Sequence, residues 1–356
     1  MKKNLFYLML FALVLISCKD ANTIVLSGVV PLTGNSSDLG QSTAHAMELC
    51  AEKWNNGGGI NGEKIVLDMN DSQADPKLGI TLTQKVFAQH TPLLVYSLVS
   101  GVALNVQSIT KKNNSILMAC IGSAELFDND TAYTLRNFVS PSTVGEGISS
   151  FIKGNHIEKQ LTILYINNTF GDSYAQKVRE CSEGKGIRIK QIIAYDESSN
   201  YRDVIVKANL SDNDIIYIAG VGQSIGVIIK QLREQGFKGI IVGDPNLPNN
   251  SAITVAGKSM ENVYYLDIDR PNTPEYKGFE EEYINRFNLK PDNFAVIAHA
   301  TCDYILDIAA KNNTVDTKEI MKIANNGYSY NSIIGAISVK NNEFVFPTKI
   351  SNVDIK

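Results

Sequence analysis

The chain has 356 residues, of which 20% are charged and 44% hydrophobic, a composition that excludes a disordered or fibrous protein. Its formal charge is −4, from 33 basic and 37 acidic residues, and no basic run follows the first residues, so nucleic acid is excluded as a partner. The length is sufficient for two lobes with separate hydrophobic cores.

The first residues form an export signal. Lys2 and Lys3 precede an apolar stretch, residues 5–16, that is too short to span a bilayer. The sequence Leu15-Ile16-Ser17-Cys18 resembles the lipobox of bacterial lipoproteins. This resemblance implies a signal peptide of residues 1–17, lipid attachment to the sulfur of Cys18, and a tether of residues 18–22. The alternatives are an ordinary signal peptide with an incidental cysteine and an uncleaved anchor.

The next part of the chain alternates between predicted strands and predicted helices. Ala44, Met47, Ala51 and Trp54, for example, fall on one helical face. The apolar runs predict strands over 24–30, 65–69, 92–98 and 115–119, and the periodicity predicts helices over about 41–54, 76–89 and 102–111. This alternation is typical of a parallel sheet that is covered on both faces.

A second series predicts a second α/β lobe, joined to the first at 136–141. Its strands are predicted over 161–166, 187–194, 215–219 and 240–242, and its helices over 172–185, 201–210 and 225–235. Helices over 274–287 and 294–311 and strands over 333–339 and 343–345 follow. We therefore expect an α/β protein with two doubly wound parallel-sheet lobes joined by a multi-stranded hinge. Residues 23–138 and about 268–332 would form lobe 1, and residues 139–267 and about 333–356 would form lobe 2.

The cysteines beyond the signal match no metal or redox motif. Cys50, Cys120, Cys181 and Cys302 are an even number, which permits up to two disulfides in an oxidising compartment, but buried thiols explain them equally well and we assign no pairing. The four histidines are scattered, so we expect neither a metal nor another cofactor.

Several segments, taken in order, resemble the Leu/Ile/Val-binding protein family, receptors of the type I periplasmic-binding fold that serve branched-chain amino acid uptake. They are residues 28–34 (GVVPLTG), 55–62 (NNGGGING), 71–76 (DSQADP) and 100–104 (SGVAL), followed by Phe170-Gly171 and Ala219-Gly220. The resemblance implies two lobes that close on a small ligand and deliver it to the permease subunits of an ABC importer. We expect a monomer, held on the extracytoplasmic face of a membrane by its lipid.

Ser100 and Gly101 lie between a predicted strand and helix, where free N–H groups and the helix dipole favour an anion. In the family a serine at this place binds the α-carboxylate of the ligand. The alternative role for Ser100 is that of a helix cap alone.

The resemblance implies further ligand contacts. The loop of Ile121, Gly122 and Ser123 would offer backbone groups and a hydroxyl to an amino acid head, unless it is a simple turn. The ring of Phe170 would cover the ligand, unless it only packs in the core. Asp244 would bind the ammonium group, unless it is a turn residue before proline.

Leu39 and Val221 stand where amino acid receptors of the family often carry tyrosines, which predicts a more aliphatic pocket. We therefore expect a branched-chain or other apolar amino acid, with an amide or a small carboxylic acid as alternatives. No nucleophile with a positioned base, carboxylate pair or phosphate-binding loop is evident, so we do not expect an enzyme. A lipid-tethered sensor of an envelope protein, without a transport role, remains the alternative function.

Overall fold

The computed structural model describes residues 23–128, 130–197 and 199–353. The predicted signal peptide and tether, including Cys18, lie outside these residues. Within the described part of the chain, no helix combines the length and the apolarity that a membrane span requires. The chain folds into two α/β lobes, each built on one mostly parallel sheet, so the predicted fold class is confirmed.

The first lobe begins as an alternation of strands and helices. In chain order these are β1 (Thr23–Val30), α1 (Ser37–Asn56), β2 (Lys64–Asp71), α2 (Pro76–Gln89), β3 (Leu94–Leu98), α3 (Ser100–Lys112), β4 (Ile116–Cys120) and β5 (Thr134–Arg136). All neighbours among these strands pair in parallel. Every residue of β3 and β4 is buried, because side chains pack against both faces of the sheet, and this explains their nearly continuous apolar sequences.

In the alternating part of the first lobe, α1 and α3 begin earlier than their apolar periodicity indicates. α1 starts at Ser37, not near residue 41, and α3 starts at Ser100, not at residue 102. A Cβ added at Gly40 would lie only 1.8 Å from the carbonyl oxygen of Pro31, so the first turn of α1 packs directly on the end of β1. Glycine permits this approach. Both helices therefore begin at the carboxyl ends of the strands that precede them.

The second lobe contains the elements α4 (Pro141–His156), β6 (Gln160–Ile166), α5 (Thr169–Gly184), β7 (Arg188–Tyr195), α6 (Tyr201–Ala208), β8 (Asp214–Ala219), α7 (Gln223–Glu234), β9 (Ile240–Gly243), α8 (Asn250–Ala256) and β10 (Val263–Ile268). Its strands lie in the order β10-β9-β8-β6-β7 and pair in parallel. The apolar pattern did not predict α4, because its glycines weaken a helical periodicity. Tertiary packing explains them, because a Cβ at Gly145 would lie 2.8 Å from the carbonyl oxygen of Lys177.

The C-terminal elements are α9 (Pro274–Phe287), α10 (Asn293–Asn312), α11 (Thr317–Asn325), β11 (Ser329–Ser332), β12 (Gly335–Lys340), β13 (Glu343–Val345) and β14 (Thr348–Asn352). α10 is buried along nearly its whole length and packs beside α1. The first sheet has the complete order β11-β12-β13-β5-β4-β3-β1-β2, and β14 joins the second sheet through β10.

We expected residues from about 333 onward to belong to lobe 2. This prediction is wrong for β12 and β13, which belong to the first sheet. β13 pairs with β5 at Glu343 and Arg136, and their side chains form an ion pair of 2.9 Å between Oε1 and Nη1. Because Arg136 is buried, this pair holds β13 on the first lobe. The chain therefore passes between the sheets at 137–140, 269–273 and 346–347.

The cysteines that the structure describes are free thiols. Cys50, Cys120 and Cys302 are buried, and Cys181 is half-buried. The described residues also contain no group of three or more histidine, cysteine, aspartate or glutamate side chains that could hold a metal ion.

Candidate ligand-binding site

A cavity of about 540 Å³ lies between the two lobes. It is bordered by residues at or after the carboxyl ends of β1, β3, β4, β6, β8 and β9, which is where parallel α/β sheets bind ligands. The lining residues are Ser36, Leu39, Gln73, Ala74, Leu98, Val99, Ser100, Gly101, Cys120, Ile121, Gly122, Phe138, Asn168, Thr169, Phe170, Glu197, Val221, Asn246 and Phe294.

Ser100 and Gly101 line the cavity from the first lobe. Ser100 is only 5% exposed, and its Oγ has no hydrogen-bond partner in the part of the chain that the structure describes. It stands in the first turn of α3, where N–H groups lack partners within the helix and the helix dipole is positive. The preceding residue, Val99, has a φ of 67°, which is strained for a β-branched side chain. The arrangement can bind a carboxylate.

The loop after β4 is only partly on the cavity wall. Ile121 and Gly122 line the cavity, whereas Ser123 does not. The hydroxyl of Ser123 accepts the N–H of Glu125 at 3.3 Å, and its carbonyl accepts Nη2 of Arg136 at 2.5 Å. Ser123 therefore caps the short 3₁₀ helix that follows it, which differs from its expected place beside a ligand.

Phe170 lines the cavity from the second lobe, in the first turn of α5. The helix begins at Thr169, three residues before the predicted start, because the side chain of Asn168 caps it by accepting the N–H of Gly171 at 2.9 Å. The ring of Phe170 also packs against Tyr174, at 4.6 Å between centroids. Phe170 therefore both lines the cavity and packs in the core, the two roles that were alternatives on the sequence alone.

Asp244 does not line the cavity. Its Oδ1 accepts the N–H of Asn246 at 2.7 Å, and its Oδ2 is buried without a partner. Burial raises the pKa of Asp244 to about 7, so proton uptake is much easier than for an exposed carboxyl. Asp244 therefore lies outside the lining of the cavity in which it was expected to meet a ligand ammonium.

The body of the cavity is apolar. Leu39 and Val221 both lie on its wall. These are the two positions at which amino acid receptors of the family often carry tyrosines. Phe138 and Phe294 add two aromatic rings that stack on each other at 5.5 Å between centroids. The wall can therefore enclose an aliphatic or aromatic group.

Two further residues of the cavity lining, Asn246 and Glu197, were not predicted from the sequence. Asn246 borders the cavity and is 3% exposed, and a hydrogen bond from its side chain partly opposes the rise that burial causes in the pKa of Asp244. Asn246 lies two residues beyond Asp244, in the loop after a parallel strand, and this position could have identified it as a site residue. Glu197 is exposed on the cavity wall, in the loop after β7.

The lobes touch each other around the cavity. Nδ2 of Asn293 in the first lobe donates to the carbonyl oxygen of Pro245 in the second at 3.0 Å, and Oγ of Ser173 accepts the N–H of Ala124 at 3.0 Å. The two lobes are therefore in a closed arrangement.

Two α/β lobes closed around a cavity at their strand ends define a two-lobed small-molecule binding protein. The chain belongs to the periplasmic binding protein family, whose sequence profile matches residues 23–354. It is 22% identical to Leu/Ile/Val-binding protein homolog 2 of Brucella abortus (strain 2308), over 95% of this chain and 92% of the relative. Leu/Ile/Val-binding protein homolog 1 of Brucella suis is 21% identical over the same shares.

Solved structures share the fold. A solute binding protein of an ABC transporter from Rhodopseudomonas palustris BisB5, in complex with 3,4-dihydroxy benzoic acid, has a TM-score of 0.84 at 18% identity and covers 93% of both chains. The branched-chain amino acid transporter substrate binding protein LivJ from Streptococcus pneumoniae, in complex with isoleucine, has a TM-score of 0.79 at 17% identity, over 93% of this chain and 99% of that one. The predicted family and fold are therefore confirmed.

Proposed function

We propose that this protein is an extracytoplasmic receptor that captures a small carboxylate with an apolar body between its lobes and delivers it to an ABC importer. The observation that carries the proposal is the buried, unpartnered hydroxyl of Ser100 at the start of α3, facing a cavity with walls such as Leu39, Phe138 and Phe294. A carboxylate satisfies the hydroxyl and the helix N–H groups, and the apolar body displaces water from the wall.

The structural relatives support this ligand chemistry. Isoleucine and 3,4-dihydroxy benzoic acid, the ligands of the two proteins above, both join a carboxylate to an apolar body. A branched-chain or other apolar amino acid and a small carboxylic acid both have this form. The ammonium group distinguishes them, and Ser100 alone does not select for or against it.

A binding screen tests the proposal. Full-length protein in detergent is melted with apolar amino acids, their amides and aliphatic and aromatic acids, and each stabilising compound is titrated by calorimetry. We expect a carboxylate to raise the melting temperature and to bind once per chain, since a ligand that binds only the folded state stabilises it. Failure of every compound to bind would refute the receptor function, and binding of amides alone would refute the carboxylate site. Loss of uptake of the identified ligand on gene deletion would separate transport from sensing.

We also propose that Cys18 is the lipidated first residue of the mature protein and anchors it to a membrane on the extracytoplasmic side. The support is the lipobox-like sequence that ends at Cys18. Mass spectrometry of protein extracted from membranes should find an N-terminal peptide that begins with acylated Cys18. An intact Met1, or a soluble mature protein without acyl chains, would contradict the anchor.

A further inference from the structure

We infer that Asp71 is a positioning residue of the ligand site, whose carboxylate holds two loops of the first lobe so that Gln73 and Ala74 form part of the cavity wall. This inference rests on the proposed function, because it concerns the same cavity. The observations behind it are the strained backbone at 73–74 and the hydrogen bonds of Asp71.

Backbone strain in the described part of the chain is concentrated at the cavity. Eleven described residues other than glycine have a positive φ, and eight of them are asparagines, which tolerate this conformation. The other three are Gln73, Ala74 and Val99, with φ of 51°, 60° and 67°. All three line the cavity between the lobes. Such side chains keep a left-handed backbone only where surrounding contacts impose it.

The carboxylate of Asp71 supplies contacts of this kind. Asp71 is the last residue of β2 and lies beside Val30, the last residue of β1. Its Oδ1 accepts the N–H of Gln73 at 3.0 Å and the N–H groups of Leu32 and Thr33 at 2.8 and 3.3 Å. Its Oδ2 accepts the hydroxyl of Thr33 at 2.5 Å. One side chain therefore joins the loop after β1 to the loop after β2.

Asp71 accepts these bonds as an anion. Burial opposes its ionisation, but the hydrogen bonds from Thr33, Gln73 and Leu32 outweigh burial and lower the pKa of Asp71. An ionised acceptor forms stronger hydrogen bonds than a neutral one. The two loops are therefore held in place at neutral pH before a ligand arrives, and a wall that is formed in advance costs the ligand less to bind.

The loop that Asp71 holds lies next to the first turn of α3. A Cβ added to Gly101 would lie 3.4 Å from Cγ of Pro76, two residues beyond Ala74. Without the Asp71 carboxylate, we expect residues 73–74 to relax from the left-handed conformation and to move the wall beside Ser100. A ligand would then have to restore that wall as it binds, which lowers its affinity.

The alternative is a purely structural role, in which Asp71 stabilises the loops without affecting the ligand. That role predicts a lower melting temperature and an unchanged affinity. The positioning role predicts a lower affinity, and it also predicts that glycine at position 74 restores part of the loss. Glycine adopts a positive φ without the steric cost that alanine has.

The test is calorimetric titration of full-length protein in detergent. The probe is whichever of L-leucine, L-isoleucine, 3,4-dihydroxybenzoate and the other compounds of the binding screen the wild type binds most tightly. Asp71→Ala should bind it about tenfold or more weakly. Asp71→Asn, which keeps an acceptor but loses the charge, should lose less affinity. Adding Ala74→Gly to Asp71→Ala should recover roughly threefold or more. If Asp71→Ala does not fold, Asp71→Asn with and without Ala74→Gly carries the same comparison.

Asp75→Ala is the matched control. Asp75 lies four residues beyond Asp71, and its Oδ1 also accepts backbone N–H groups, those of Lys77 and Leu78 at the start of α2. It is not among the residues that line the cavity. Asp75→Ala should therefore lower the melting temperature and leave the affinity for the probe unchanged.

Hydrogen exchange of the unliganded proteins reports on the two loops directly. The N–H groups of residues 32, 33 and 73 should exchange faster in Asp71→Ala than in the wild type, because they lose their acceptor. Unchanged exchange, unchanged affinity of Asp71→Ala, or a loss that Ala74→Gly does not reduce would overturn the inference and leave the receptor function standing. If the wild type binds no compound of the screen, the proposed function fails, and the inference falls with it.

Discussion

The hydroxyl of Ser251 in the second lobe donates a hydrogen bond of 2.7 Å to Oδ2 of Asp38 in the first lobe. Ser251 lies in the first turn of α8, and Asp38 lies in the first turn of α1. The bond therefore joins two elements that are far apart in sequence, across the gap between the lobes. It exists only while the lobes are together, so it stabilises the closed arrangement relative to an open one.

Ser251→Ala should weaken ligand binding. Hydrogen bonds to charged groups contribute about 1.5–3 kcal/mol, and partial exposure reduces this one to about 1 kcal/mol, or roughly a fivefold loss of affinity. Stopped-flow measurements should show most of the loss as faster dissociation. Thr254→Ala is the matched control, because Thr254 lies on the same helix and its hydroxyl donates within that helix, to the carbonyl oxygen of Asn250. Equal affinities of wild type and Ser251→Ala would contradict a role in closure.

Ser100→Ala should reduce affinity for the carboxylate ligand by about tenfold or more, since the ligand loses one charge-assisted hydrogen bond. Ser108→Ala, an exposed position on the same helix, should bind as the wild type does. Calorimetry of both variants with the ligand from the screen is the measurement. Unchanged affinity of Ser100→Ala would remove Ser100 from the site.

Gly122→Ala should oppose the approach of the lobes. A Cβ at Gly122 would lie 1.9 Å from Cε2 of Tyr174, a residue of the second lobe. The buried ring cannot easily retreat, because its hydroxyl donates to the carbonyl oxygen of Val139 at 2.5 Å. Overpacking of this kind costs about 1–3 kcal/mol, which corresponds to roughly a five- to 150-fold loss of affinity.

Small-angle scattering should show Gly122→Ala as more open than the wild type when ligand is present. Gly154→Ala is the control, since among the described residues no atom outside the local helix backbone lies within 4 Å of the added Cβ there. A Gly122→Ala protein that closes and binds normally would show that the lobes can approach without this contact.

Asp244→Asn should change the pH dependence of stability. The folded-state pKa of Asp244 is about 7, raised by burial, against about 3.9 in the unfolded chain. Between these values the folded protein holds a proton that the unfolded chain has released. This carboxyl's contribution to the free energy of unfolding therefore falls by about 1.4 kcal/mol per unit as pH rises from about 4 to 7.

The variant lacks this loss, so Asp244→Asn should gain stability relative to the wild type as pH rises, by up to a few kcal/mol at pH 8. Denaturant unfolding at pH 4.5, 6 and 8 measures the difference between the two proteins. Only the difference is diagnostic, because burial also raises the pKa of Asp292 to about 6 and lowers that of His299 to about 4. Parallel stability profiles would show that Asp244 does not titrate in this range.

The sequence predicted those site residues whose position follows from a single local pattern, the junction between a strand and a helix. Ser100 and Gly101 follow a buried strand and open a helix, so chain order alone places them at a strand end. Ser123 and Asp244 also follow strands, yet neither residue lines the cavity. The Ser123 hydroxyl accepts the N–H of Glu125, and the Asp244 carboxylate accepts the N–H of Asn246. The orientation of each side chain therefore depends on its hydrogen-bond partner, which the hydrophobic periodicity of the sequence does not reveal.

The sequence by itself determined the alternating strands and helices, the two α/β lobes and the strand-end loops, because hydrophobic period and turn residues are local properties. Only the tertiary structure decided that β13 pairs with β5 in the first lobe, where Glu343 meets the buried Arg136. It also decided that Asn246, and not Asp244, borders the cavity. The physical reason is that pairing partners and buried polar contacts join residues distant in sequence, and their free energies depend on which groups folding removes from water.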